Sequence, residues 1–314
     1  MLLEFKVSNY RSICEEQVIS LIPSTNQKEF SSNIIDRGKY SLLNSIAFYG
    51  ANSSGKSNLI KSLELLDKLL HLSARLSSTA KLPYDPFLLK EGYDQKPTKL
   101  EIAFLIEENR YRYGLEFNRS EVLVEWLYRK KVGREVELFY REKETIDVSN
   151  GFEGSSKVID AAIEATRENA LFLSICDTLN IKEARLIFNW FKNFIVIDGL
   201  ETEKESLRTI NLWEDSEYQS KIRDYLVRLD LGFNDLVLNK EEFDPSILPD
   251  KINDNVRSLI VDQLSGKMGV QIHTVHETFD KSGRARGKIT WPMDQRESEG
   301  TKKAIQFSGP IIHS

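Results

Sequence analysis

The sequence predicts an α/β fold: a mixed sheet with an antiparallel, strand-rich part, interrupted by a mainly helical insertion. Three observations predict it. A short apolar run leads into the glycine-bounded loop GANSSGKS, after which Leu59, Leu63 and Leu66 recur at helical spacing. Runs rich in β-branched and aromatic residues, divided by short polar turns, fill the chain between residues 100 and 141. From Ser156 to about Gly232 the apolar residues follow a helical period, with charges of both signs between them and no internal repeat.

Taken in order, Leu2 to Val7 and Gln17 to Ile22 read as strands joined through SNYRSICEE. Ser45 to Tyr49 reads as a short buried strand feeding the glycine loop, and a helix follows the loop. Beyond a Ser-rich, Pro-containing stretch ending at Pro86, strands return at Leu100 to Ile106, Tyr111 to Phe117, Val122 to Arg129 and Val136 to Arg141. Turns such as Glu107-Glu108-Asn109 separate them. The organisation is then residues 1–150, a helical insertion over 151–255, and a closing segment over 256–314. That segment opens with SLIVDQL at 258 to 264, where Val256, Ile260 and Leu264 suit one helix face. A hairpin of Val270 to Phe279 with Lys288 to Trp291, turning near Asp280 to Gly283, delivers the chain to QRESEGTKKAIQFSGPII.

A chain of 314 residues, 40% hydrophobic and 29% charged, can build a sizeable core for about two domains. Its formal charge of −5 argues against a generally basic polyanion binder, so any nucleic-acid surface would be a local patch. Cys14 and Cys176 make neither a disulfide framework nor a metal pattern, which predicts buried small hydrophobes in a reducing, cytoplasmic compartment. The opening MLLEFKVSNYRSI lacks a leader's apolar core, and the apolar-rich stretch Leu186 to Leu200 is broken by Asn189, Lys192, Asn193 and Asp198. The expectation is neither export nor membrane spanning.

The loop carries the most specific chemistry. Gly50-x-x-x-x-Gly55-Lys56-Ser57 has phosphate-binding loop spacing, set between a predicted strand and a helix as that pattern requires. The segment runs Gly50, Ala51, Asn52, Ser53, Ser54, Gly55, Lys56, Ser57, Asn58. Glycines let successive NH groups turn inward, and the helix start adds the positive end of its dipole, so a polyphosphate fits the cradle. Lys56 would reach the β- and γ-phosphates, and the Ser57 hydroxyl would bind Mg²⁺. The competing reading is a Gly/Ser turn before a helix; loop, lysine, hydroxyl and flanks together speak against it.

With FKVSNYRSI at the N-terminus and ESEGTKK at 297 to 303, the sequence resembles ATPases of the ATP-binding-cassette type, in the branch holding SMC, RecF and OLD-like proteins. It is closest in look to the AAA-annotated ATP-binding proteins of bacterial abortive-infection and restriction-linked defence loci. PFLLKEG, RYRYGLEF and LFYRE share that look. The resemblance implies ATP with Mg²⁺, and places Arg11 and Ser12 near the nucleotide. It also implies that Ser298 and Gly300, at a helix start, face the γ-phosphate held by a partner subunit. The implied protein is an ATP-driven homodimer with ATP at its interface, gating an effector such as a nuclease encoded nearby in phage defence, with nucleic acid as a further partner and no membrane. A nucleotide-binding interaction module without turnover and a DNA-repair ATPase are the alternatives. Taken alone, Arg11 reads as a surface cation, and Ser298 as a helix cap; capping and phosphate binding use the same unpaired NH groups.

The family's signature helix is followed by a strand ending in Asp-Glu and then by a histidine. This sequence ends at Ser314, His313 comes too early, and the reading is a shortened chain whose catalytic carboxylates are unassigned. FIVIDGLE at 194 to 201 places Asp198 after four apolar residues, but Gly199 follows it, as in an ordinary turn. His273 and His276 lie in a strand-like run whose odd separation sends them to opposite faces, against a shared metal. Lys281, Arg284, Arg286 and Lys288 crowd one hairpin tip, where they could meet a phosphate backbone, although hairpin ends are often charged. Arg129, Lys130, Lys131 and Arg134 raise the same question beside Trp126 and Tyr128, rings that strand alternation could equally place in the core.

Overall fold

A computed structural model of the chain describes residues 1–24, 30–197, 203–242, 245, 248, 253–266 and 268–313. The chain is α/β and forms two compact units, Met1–Val196 and Ile197–Ser314. The boundary falls inside the stretch set aside above as helical.

The first unit is built on a seven-stranded antiparallel sheet in the order β2-β1-β5-β6-β7-β8-β9. Its strands are β1 (Leu2–Ser8), β2 (Gln17–Ser20), β5 (Thr98–Ile106), β6 (Asn109–Phe117), β7 (Val122–Lys130), β8 (Val136–Glu142) and β9 (Thr145–Val148). Alternation decides its faces. Ile102 and Phe104 of β5 join the main core, with Phe5, Tyr113 and Leu115, against helices α1 (Lys56–Leu72), α2 (Ser156–Ala165), α3 (Phe172–Thr178) and α4 (Lys182–Lys192). Ala103 and Leu105 point the other way and pack with Leu42 of a small hairpin, β3 (Ile34–Arg37) and β4 (Tyr40–Leu43). Trp126 covers Gly114 across the β6–β7 ladder, so any Cβ at Gly114 would collide with the indole. A buried carboxylate ties sheet to helix. Glu125 of β7 accepts from the Phe172 and Leu173 NH groups at the start of α3 (2.7 and 3.1 Å) and from the Tyr113 hydroxyl (2.9 Å). It thereby satisfies helix-end donors that the core would otherwise strand.

The second unit carries the three-stranded antiparallel sheet β10-β11-β12, formed by Asp235–Glu242, Met268–Phe279 and Ala285–Pro292. Helices α5 (Glu203–Trp213), α6 (Ser216–Arg228), α7 (Asp254–Leu264), α8 (Met293–Arg296) and α9 (Glu299–His313) complete it. Ile210, Trp213, Ile222, Leu226, Leu236, Ile272, Met293 and Ile305 make its core.

Several elements differ from the sequence reading. Ser45 to Tyr49 pairs with no described strand; Ile46 and Phe48 are exposed and Tyr49 is 93% exposed, so the expected buried strand is an unpaired segment. An apolar run becomes a strand only where a neighbour takes its backbone hydrogen bonds. The β3–β4 hairpin, β9 and β10 were not expected: the first three strands are four residues each, too short to show a period, and LNKEE of β10 reads as polar. Residues 258 to 264 are helical, as their period predicts. Cys176 is buried in the core, whereas Cys14 is only half-buried. Asp198 and Gly199 lie outside the described residues. No helix among the described residues is long and apolar enough to cross a membrane.

Candidate functional site

The glycine loop opens from the unpaired segment and closes on α1, whose Leu63, Leu66 and Leu70 are anchored in the core. That stripe holds the helix start in place while residues 50 to 54 stay exposed. Gly55 begins the helix at φ +93°, and Ser53 turns at φ +64°. A Cβ on Gly50 would lie 2.9 Å from Ser54 Oγ, and one on Gly55 would lie 3.1 Å from Ser12 Oγ as well as straining the backbone. Gly55 is therefore required by the loop's own geometry, whereas a side chain at Gly50 would be accommodated by rotation of the exposed Ser54 hydroxyl. Lys56 folds back over the concavity, its Nζ donating to the Gly50 and Ala51 carbonyl oxygens at 2.8 Å each, with Ser54 Oγ at 3.4 Å. Those carbonyls hold the ammonium in the mouth of the loop, where an anionic ligand would compete for it.

Arg11 and Ser12, remote in sequence, are brought to the same place. Asn58 Nδ2, in the first turn of α1, donates to Ser12 Oγ at 2.7 Å. Arg11 adopts φ +49°, its NH donates to the Asp85 carbonyl (2.8 Å), and its Nε donates to the Asp85 carboxylate (2.8 Å). Behind them stands Asn9, 3% exposed. Its amide donates to the Tyr93 and Lys96 carbonyls (2.9 and 2.7 Å), while its side-chain oxygen accepts from the Phe87 NH (3.0 Å). Asn9 staples the Arg11–Ser12 turn to residues 85 to 97, a role with no sequence signal beyond a polar residue between a strand and an Arg-Ser pair.

Ser298 and Gly300 belong to the second unit. Ser298 caps α9: its Oγ accepts from the Thr301 NH at 3.1 Å, and its carbonyl accepts from the Lys302 NH at 2.9 Å. A Cβ on Gly300 would meet only Ser298 Oγ, at 3.8 Å, so packing within the unit does not demand a glycine there. The residue that sequence reading passed over is Glu297. Its Oε1 accepts from Thr274 Oγ1 (2.6 Å), Trp291 Nε1 (3.0 Å) and, when that nitrogen carries a proton, His276 Nε2 (2.8 Å). Burial alone would raise its pKa, but the hydrogen bonds from Thr274, Trp291 and His276 outweigh burial and hold the carboxyl below its usual value. Trp291 also stacks on His276, with centroids 4.1 Å apart. Glu297 thus locks the residue preceding the Ser298 cap to two strands, and its place beside Ser298 was the available clue.

The remaining constellations separate. His276 points to Glu297, and His273 lies on the opposite strand face with its Nδ1 buried and unpaired among the described residues. Arg129 is committed to Glu183 (2.8 Å) and the Gly151 carbonyl (2.9 Å), Lys131 lies 3.6 Å from Glu153, and Trp126 is buried. Of the four cations in that stretch, Arg129 thus serves the fold. Among the described residues, no group of three or more His, Cys, Asp or Glu converges as a metal cage.

No curated protein matches the chain. Among solved structures it is similar to that of the recombination mediator protein RecF-ATP in the RecFOR pathway, at 13% identity and a TM-score of 0.27, over 100% of this chain and 81% of that one. So low a score carries no argument. Residues 45–309, from the segment before the glycine loop into α9, match the family described as "AAA domain, putative AbiEii toxin, Type IV TA system", and the chain belongs to that family of AAA domains.

Proposed function

We propose that the chain binds ATP with Mg²⁺ at residues 50 to 58 and acts as a nucleotide-driven dimeric switch that gates an effector in anti-phage defence. Membership of an AAA family implies ATP binding. The observation that carries the assignment to this loop is Lys56, whose ammonium rests on the Gly50 and Ala51 carbonyls in the mouth of a turn that Gly55 closes at a positive φ. In this reading the loop NH groups and the α1 start hold the phosphates, Lys56 leaves the carbonyls for the β- and γ-phosphates, and Ser57 contributes its hydroxyl to the metal. Bound Mg²⁺ would neutralise charge on the phosphate oxygens. Ser12, tethered to Asn58, keeps Arg11 beside the same helix start.

The dimeric part rests on Gly300. Glycine forms helix less readily than alanine, by up to about 1 kcal/mol in a helix interior. Since nothing within its unit crowds it, the cost is explained if a ligand held by a second copy approaches there. The defence role rests on the family's description as a toxin of a toxin–antitoxin system.

The test is calorimetry with Mg-ATP. Charged hydrogen bonds contribute about 1.5–3 kcal/mol, so Lys56→Ala should weaken affinity by about 10- to 100-fold with the circular dichroism spectrum retained. Unchanged affinity would remove the nucleotide from this loop.

A further inference from the structure

We propose that the end of the β11–β12 ribbon is a contact arm for double-stranded DNA. β10 accompanies β11 only as far as Val275, opposite Asp235; beyond it, Glu277, Thr278 and Phe279 pair only with Lys288, Gly287 and Ala285. The sheet therefore narrows to two strands, and residues 281 to 290 are exposed on both faces. A ribbon bare on both sides gains little from its own fold, yet this one carries Phe279 at 60% and Ile289 at 45% exposure. Around them stand Lys281, Arg284, Arg286 and Lys288, four cations within eight residues of a chain whose net charge is −5.

The local acids do not neutralise that group. Asp280 is turned into the hairpin, its Oδ1 accepting from the Ser282 NH (2.8 Å), the Ser282 hydroxyl (2.6 Å) and the Arg284 NH (2.9 Å). Glu277 stands opposite Lys288 alone. In the first unit's basic stretch, by contrast, Arg129 is tied to Glu183 and Lys131 lies 3.6 Å from Glu153.

Arginines and lysines without an ion pair among the described residues, set on a narrow ribbon and interleaved with an aromatic ring, suit a phosphate backbone with a groove between its strands. The major groove of B-form DNA, about 12 Å wide, admits a two-stranded ribbon. The deep, narrow major groove of A-form RNA does not. In DNA, Arg284, Arg286, Lys281 and Lys288 would meet phosphates, and Phe279 and Ile289 would lie against sugars or base edges. The contact is independent of the ATP reading, since no residue of the loop takes part.

Fluorescence anisotropy of the whole 314-residue chain with a labelled 20-bp DNA duplex, without nucleotide, tests it. Three to four phosphate contacts predict a log–log salt slope of about −3 to −4, hence roughly 100-fold weaker binding at 200 mM than at 50 mM salt. Replacing all four cations with Gln should lower affinity at least about tenfold and flatten the slope by about 3. Arg284→Lys with Arg286→Lys should keep the slope, which separates charge from misfolding. Absence of duplex binding, a Gln variant equal to the parent, equal binding of an RNA duplex, or a preference for phosphatidylserine vesicles would each overturn the assignment.

Discussion

Glu297 shows how one side chain can define a helix start without touching a ligand. A carboxylate accepting three donors is held in its charged form, and Ser298, which follows it, must then present its hydroxyl at the first turn of α9. The pH consequence has a definite sign. A carboxyl whose folded pKa lies below its unfolded value of about 4.3 contributes stability above that value and loses it as pH falls through the folded pKa. Glu297→Gln should therefore lower the melting temperature at pH 7 and flatten the loss of stability below about pH 4.3, measured by thermal melts from pH 3 to 7. A variant with the parent's full acid limb would show that other carboxylates carry it.

Helix α9 contains Pro310, which lacks the NH that would bond the carbonyl four residues earlier. The helix continues because α5 supplies a substitute. Thr209 Oγ1 donates to the Gln306 carbonyl at 2.6 Å and accepts from the Gly309 NH at 3.0 Å. Gly309 makes that approach possible, since a Cβ there would lie 2.6 Å from the Thr209 Cα. Thr209→Val keeps the shape and strands two backbone groups, so it should destabilise the second unit by about 1–3 kcal/mol. Hydrogen exchange should speed in α9 and leave β5 to β7 unchanged, because the two units have separate cores. Uniform acceleration in both would show one cooperative core instead. The same physics explains the segment before the glycine loop: Leu2–Ser8 has neighbours on both sides and is a strand, whereas Ser45 to Tyr49 has none among the described residues and is not.

For the assembled protein, the dimer proposal makes an arithmetic claim. If each ATP sits between Lys56 of one copy and Ser298 with Gly300 of another, Lys56→Ala and Gly300→Trp should each abolish ATP-dependent association. Mixing them places both lesions at one site and neither at the other. Sedimentation velocity with Mg-ATP should then show partial recovery of the dimer in the mixture. No recovery would leave Gly300 acting within its own copy.

Much of the fold was legible because it is written in local periods. β1, β5 to β8, the β11–β12 hairpin and α1 all carry a two- or 3.6-residue repeat long enough to read, and the glycine loop announces itself by spacing. The four-residue strands β3, β4 and β9 were too short for any repeat. Of the proposed nucleotide contacts, the sequential stretches Gly50 to Asn58 and Ser298 to Gly300 could be read as patterns. What holds them could not: Asn9 on the 85–97 segment, Asp85 on Arg11, and Thr274, His276 and Trp291 on Glu297 are contacts between distant stretches. A hydrogen bond depends on where two chains meet in space, and a sequence read segment by segment carries the donor and the acceptor but not their meeting.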